Sequence, residues 1–382
     1  MIIVEKSKCC GCAACVQICP KTCIRMEEDA EGFLYPIIDS RNCVNCKLCL
    51  LVCPSNTSVV EKVPYKVYAA KNDNDEIRIN SSSGGIFTII ANKVIANGGV
   101  VFGAKFNESW EVVHDYVENK EHLHCFRGSK YVQSKIGDTY KLVKHFLHEG
   151  RQVLFSGTPC QSMALKKYLQ KDYENLLTVD FVCHGVPSPA IWRGYLKEEL
   201  YDVKTIDASM NLNYINFRNK DFGWNRFSLK TEYISAVNSA SITKNEEFVN
   251  NLYMKIFLSD LSLRPSCYNC PAKSGRSGTD ITLGDFWGIK ECNKDYSDSL
   301  GVSLVMINNA NINIDLNNYN EQSYDQALMY NPNIRYSVNC PLNRKFFFMI
   351  FRLTNSIRFA FKCTHSDDIF MRIFRKLYSF LK

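Results

Sequence analysis

Two runs of cysteines share one spacing, CxxCxxCxxxCP: Cys9, Cys12, Cys15, Cys19 and Pro20, then Cys43, Cys46, Cys49, Cys53 and Pro54. Two residues between successive cysteines let a tight loop aim their thiolates at one centre, and soft sulfur suits iron or zinc far better than hard cations. The proline ends each loop and stops a helix from forming across it. Zinc sites usually join one close pair of cysteines to a distant second pair. Two full runs, each closed by Cys-Pro, instead match a pair of 4Fe-4S cubes in which the fourth cysteine of each run ligates the other cube. This assigns Cys9, Cys12, Cys15 and Cys53 to cluster I, and Cys43, Cys46, Cys49 and Cys19 to cluster II. Cys10 and Cys23 fall outside the spacing and read as bystander thiols packed nearby.

Three later stretches carry more chemistry than packing requires. Ser83-Gly84-Gly85 stands at an expected helix start, where free backbone N–H groups suit a phosphate or pyrophosphate. A glycine turn behind a serine cap explains the same residues. Residues 155–161, FSGTPCQ, lie between a strand and a helix, the usual place for ligands in open α/β sheets. Cys160 there has no adjacent histidine to activate it as a nucleophile. It and Cys183, at the end of the next strand, also read as buried structural cysteines. Cys267 and Cys270 form a CxxCP, followed by DITLGDFWG over 280–288. A lone CxxC serves as a redox dithiol, half a zinc site or part of a cluster site; with Cys160 and Cys183 it supplies four thiolates for a third 4Fe-4S cluster. His184 reads as a proton relay or, more plainly, as a histidine hydrogen-bonded in place. Asp285 suits either a cofactor contact or a turn cap.

Together the doubled cysteine run, SSSGG (81–85), GSKYVQS (128–134), GTPCQ (157–161), CHGVPSP (183–189) and the block from CYNCP to DITLGDFWG (267–288) resemble the coenzyme F420 hydrogenase/dehydrogenase beta-subunit family, in the form with an N-terminal two-cluster ferredoxin. The resemblance extends to about Cys340. It implies an FAD-containing iron–sulfur protein that passes electrons between clusters and flavin, and in some members onward to a deazaflavin as hydride. Ser83, Gly84, Gly85, Lys130, Tyr131 and Ser134 are the flavin contacts it implies, and Cys160, Cys183, Cys267 and Cys270 the ligands of a flavin-proximal cluster. Clusters move single electrons and deazaflavins move hydrides, so a flavin is the natural converter between them. Lys130 would offset negative charge on the flavin or its pyrophosphate, a solvated lysine being the ordinary alternative. No catalytic residue follows from the sequence.

These residues need a scaffold of mixed α+β and α/β class: a small two-cluster ferredoxin domain followed by a larger mixed α/β flavoprotein domain. Helices are expected over 86–95, 138–148 and 160–169, and strands over 100–106, 152–155 and 176–183, an alternation that implies some parallel pairing. Serines 81–83 should cap the first helix. Short aromatic strands over 214–218 and 227–233 should pair antiparallel. The expected divisions are the ferredoxin-type domain over 1–62, the two parts of the beta-subunit-like domain over 63–150 and 151–340, and a basic aromatic tail over 341–382.

The chain has 382 residues, 46% hydrophobic and 22% charged, an ordinary globular balance. Its 18 cysteines follow no signal-peptide pattern at residues 1–8, so the thiols are expected to be reduced in a cytosol. No apolar run is long enough for a membrane-spanning helix. The net charge of +7 belongs to residues 341–382, which hold nine Lys or Arg against two Asp or Glu; a nucleic-acid groove in the body is therefore not expected. A helix over 369–381, basic on one side, would dock on its own domain, on a partner or on an anionic membrane surface from within the cell. The stretch 346–361 is apolar almost all round and should pack against protein.

The expected function is an oxidoreductase that exchanges electrons between a protein donor or acceptor and a small soluble redox substrate, deazaflavin-like or other, through clusters and FAD. The alternative is a non-enzymatic electron-relay subunit of a larger complex.

Overall fold

The computed structural model describes residues 4–56 and 59–365; the helix expected over 369–381 lies outside them. The doubled cysteine spacing gives a doubled local structure. Each loop runs into a one-turn helix, Ala14–Gln17 and Leu48–Leu51, entered through a left-handed residue, Ala13 at φ 57° and Lys47 at φ 62°. Between the two lies an antiparallel hairpin of β1 (Ile24–Glu28) and β2 (Leu34–Ile38).

The larger part is built on an eight-stranded sheet. Its strands are β3 (Lys66–Lys71), β4 (Val100–Phe106), β5 (Val112–Val117), β6 (Val153–Ser156) and β7 (Leu176–Phe181), and, after an excursion, β11 (Ile281–Asp285), β12 (Ser303–Ile307) and β13 (Asn318–Gln322). The excursion is a separate three-stranded antiparallel sheet of β8 (Met210–Asn219), β9 (Ser228–Ser235) and β10 (Ser241–Glu247). The order of the large sheet is β13-β3-β12-β11-β7-β6-β4-β5. Its centre, β11-β7-β6-β4, is parallel, and the flanking strands are antiparallel. The crossover from β6 to β7 is the helix Pro159–Leu169, capped by Thr158 and Gln161 in a reciprocal capping box. The carboxyl ends of β6, β7 and β11 therefore share one edge, which delivers Cys160, Cys183 and Asp285 to neighbouring loops.

The helix Ile86–Ala96 occurs where expected, but the serines before it do not cap it. Gly85, at φ +83°, takes the cap position with no side-chain bond, and Ser83 Oγ instead donates to the Val302 carbonyl at 2.7 Å. Gly84 lies so close to β3 and β12 that a Cβ would stand 2.4 Å from the Ala70 carbonyl oxygen, so packing alone requires glycine there.

The ferredoxin-like segment shares its core with the rest. Cys9, Phe33 and Tyr35 pack with Trp192, Phe217 and Tyr253 in one cluster, and Cys10, Cys12, Ala14 and Val52 pack with Tyr140 and Phe155 in another. The tail helices Arg344–Thr354 and Ile357–His365 bury Phe346, Phe347, Phe348 and Ile357. Among the described residues no helix is long and apolar enough to cross a membrane.

Candidate functional site

Cys9, Cys12, Cys15 and Cys53 are all buried. Burial first, then neighbouring Cys9, Cys53 and Cys49, push the Cys15 thiol up to about 12. Cys53 is likewise pushed up by burial and by Cys9, and Cys12 stands against both Cys15 and Cys9. Cys19, Cys43, Cys46 and Cys49 line a cavity of about 360 Å³, with Cys46 exposed at its mouth. Among the described residues no group of three His, Cys, Asp or Glu converges on a single metal ion; a cube spreads its thiolates around its corners and needs space between them. Buried thiols that oppose one another's ionisation gather as thiolates only around a compensating cation, so the donor sets fit iron clusters.

The third set comes from three separate segments. Cys160 opens the helix after β6, Cys183 lies two residues past β7, and Cys267 and Cys270 flank the end of the 3-10 turn Pro265–Asn269. Burial pushes Cys183 up, reinforced by Cys267, Cys160 and Cys270. Burial also lifts Cys267 to about 12, with Cys270 and Cys160 contributing, and Cys270 to about 11, with Cys160 contributing. The four thiols thus oppose one another's ionisation, and the buried Lys273 ammonium donates to the Cys183 and Asn333 carbonyls at 2.5 Å each. The Val186 N–H points at Cys267 Sγ at 3.4 Å. His184 is held on both sides, by Asp260 Oδ1 at 2.6 Å and Asn333 Nδ2 at 3.2 Å. A solvent-open cavity of about 420 Å³ lies beside Cys183, lined by Pro159, Asp180 and Lys273 among others.

Sequence reasoning missed the residues that join these sites. Arg264, wholly buried, donates to the Cys9 and Leu34 carbonyls at 2.6 and 2.8 Å and to Gln133 Oε1 at 2.8 Å, with Nη2 3.7 Å from Cys9 Sγ. Gln133 Nε2 in turn donates to the Cys10 carbonyl at 2.9 Å. The only signal was position: Arg264 directly precedes the Pro265–Cys270 motif, and Gln133 lies within the 128–134 motif.

The six candidate flavin contacts fit a cofactor in part. Ser83 is spent on Val302, the Gly84 N–H on Ser303 Oγ at 2.9 Å, and Ser134 Oγ accepts from Gln161 Nε2 at 2.9 Å. Gly85 is held at the helix start beside Asn72. Lys130 and Tyr131 remain on a half-buried face with Ser82 and Ser129, whose hydroxyls meet at 2.8 Å. Lys130 Nζ donates to the Arg127 and Gly128 carbonyls, and burial lowers it to about 8. Arg218, unmarked in the sequence, bridges this face to β11: it donates to Tyr131 Oη at 3.2 Å, Ser82 O at 2.9 Å and Asp285 Oδ2 at 2.8 Å. Trp224 donates to Asp285 Oδ1 at 2.9 Å and stacks on the partly exposed Trp287 at 5.0 Å. Asp285 thus anchors Arg218 and Trp224. Beneath, Lys220 donates to Ser83 O and Leu300 O, and burial, with Arg218 nearby, lowers it to about 7.

Buried sulfur donor sets along a path from an exposed cysteine inward, beside the ligand edge of a parallel sheet, define an iron–sulfur electron-transfer protein. Residues 8–57 match the 4Fe-4S dicluster domain, and residues 150–327 match the C terminus of the beta subunit of coenzyme F420 hydrogenase/dehydrogenase. Residues 150–327 thus carry the C-terminal domain of that beta-subunit family, preceded in the same chain by a two-cluster ferredoxin domain. A chain of the F420-reducing [NiFe] hydrogenase complex from Methanosarcina barkeri is similar at 15% identity and a TM-score of 0.40, over 66% of this chain and 77% of that one. No curated protein matches.

Proposed function

We propose that this protein is an oxidoreductase in which Cys160, Cys183, Cys267 and Cys270 hold a third 4Fe-4S cluster between the two ferredoxin clusters and a bound FAD. When bound, the clusters carry single electrons and the flavin exchanges them for two-electron chemistry with a soluble redox substrate, deazaflavin-like or other. The observation that carries this reading is that four cysteines from three distant segments lie close enough for each thiol to oppose the others' ionisation. The chain's own residues do the rest. Lys273 and the Val186 N–H place positive charge and a donor at the third site. Lys130, Tyr131, Ser129 and Arg218 would hold the flavin, with Ser83, Gly84, Gly85 and Ser134 fixing the backbone beneath it. At the other end the lining of the cluster II cavity has Lys21 and Lys47 and no carboxylate, beside exposed Val44 and Leu51, a rim suited to an acidic redox partner.

Cys183→Ala tests the assignment. Iron should fall from about twelve to about eight per chain, with both ferredoxin cluster signals kept. Unchanged iron would contradict it. One observation favours the relay reading instead: several candidate flavin contacts are already paired inside the protein. Purified protein that holds its iron but no flavin would select that reading.

A further inference from the structure

Trp287 is left open at the carboxyl end of a central strand. It stands just past β11, after the fully buried Phe286, and 41% of it reaches solvent. Single exposed apolar side chains are ordinary on a protein surface. This one is held far more firmly than a surface residue needs.

Its indole lies within 7° of parallel to that of the buried Trp224, with 5.0 Å between centroids. Trp224 comes from the loop between β8 and β9, and three contacts fix it. Its backbone N–H donates to the Ser299 carbonyl at 2.9 Å, its Nε1 donates to Asp285 Oδ1 at 2.9 Å, and a Cβ on Gly301 would stand 2.7 Å from its ring. Next in the chain after Trp287, Gly288 packs so tightly on the Tyr330 ring that no Cβ would fit. The Arg218 guanidinium completes the base, 5.4 Å from the Trp287 ring and 4.2 Å from that of Phe227. Its terminal nitrogens donate to Asp285, Tyr131 and the Ser82 carbonyl, but its Nε–H is buried with no partner among the described residues. An unpaired buried donor beside an open, rigid aromatic ring marks a place that a ligand completes.

We propose that Trp287, backed by Trp224 and Arg218, is the platform on which the soluble redox substrate stacks, an assignment that rests on the oxidoreductase reading above. The braced indole pair offers apolar area in a fixed orientation, so little ordering is lost when a flat ring settles on it. The substrate class that fits is a conjugated heteroaromatic ring, and not an aliphatic oxo or hydroxy acid. The bound FAD is a poorer occupant. Its candidate contacts Tyr131 and Lys130 lie on the half-buried face at the other end of Arg218, whereas Trp287 opens to the solvent from which a soluble substrate arrives. One guanidinium touches both faces, so the substrate ring and the flavin would be neighbours, as electron exchange between them requires.

The test uses the full chain, purified anaerobically with its clusters, saturated with FAD and freed of excess, as wild type, Trp287→Phe and Trp287→Ala. The probe is lumiflavin, a bare flat ring without ribityl or phosphate, titrated by equilibrium dialysis, with iron and FAD per chain measured on each sample. The wild type should bind it. Trp287→Ala should weaken binding about tenfold to a hundredfold, and Trp287→Phe, which keeps a stacking ring, by no more than about threefold, with iron and FAD unchanged in both. Unchanged lumiflavin binding in Trp287→Ala would overturn the platform and leave the oxidoreductase standing, as would an FAD-loaded wild type that binds no lumiflavin. Loss of FAD from Trp287→Ala with full iron would make the residue a flavin contact and overturn its assignment to the substrate. A wild type that takes up no FAD would remove the oxidoreductase reading, and the platform with it.

Discussion

Arg264 shows how one buried side chain ties the sulfur sites together. Its planar fork reaches two carbonyls of the ferredoxin segment, one amide and the face of Tyr35, at 4.3 Å from the ring centroid. Lysine keeps the charge but lacks the fork, so Arg264→Lys would leave buried acceptors unpaired at a cost of roughly 2–4 kcal/mol. The thermal midpoint should fall by several degrees, and the potential of cluster I should become more negative as the Cys9 sulfur loses a donor; an unchanged midpoint and potential would refute this role. The dicluster domain over 8–57 was legible because the spacing of its eight repeat cysteines is itself the chemistry. Arg264 and Arg218 were not, because a sequence gives no sign that a residue type usually found at the surface will be buried. Cys10 was visible as an extra thiol, but its neighbour Cys160 is 150 positions away in the chain.

At the scale of elements, the central strands and the helices between them were legible from their apolar runs and glycine stops. Strands β12 and β13 were not. Residues 303–307, SLVMI, are buried throughout and have no period to read, and 318–322, NYNEQ, form a polar edge strand. The serine cap failed because each hydroxyl is used elsewhere: Ser81 donates to the Ile77 carbonyl, Ser82 meets Ser129 and Ser83 donates to the Val302 carbonyl. Strand β5 carries a testable pH effect. Burial lowers His114 from 6.5 to about 4, while Nε2 meets the Ser156 carbonyl at 3.1 Å. The unfolded chain therefore binds a proton that the folded one refuses. Stability is kept above about pH 6.5 and lost as pH falls through about 4, by on the order of 3 kcal/mol. Asp180, raised to about 6 by burial, titrates nearby with the opposite sign, so the comparison needs a variant. The gap in thermal midpoint between wild type and His114→Gln should narrow in favour of the variant from pH 6.5 to 4; a constant gap would contradict it.

For the whole molecule, the ferredoxin-like segment is an integral part of the fold and not a tethered appendage. It shares two hydrophobic clusters with the large sheet domain, and Glu31 pairs with Arg344 of the tail at 2.6 and 3.0 Å. Arg358 of the tail is likewise paired, with Glu198, Glu199 and Asp202. The basic surplus is thus partly consumed inside the fold, a result that charge counting could not reveal because it assigns no partners. This packing sets the cysteine groups side by side: Cys15 and Cys49 share one buried cluster, and Cys160 packs against Cys10 and Cys12 in another. The most direct measurement is iron, sulfide and flavin quantification on one anaerobically purified sample of the full chain. About twelve irons, matching sulfide and one FAD per chain are predicted. About eight irons with no flavin would contradict both the third cluster and the oxidoreductase, leaving a two-cluster relay.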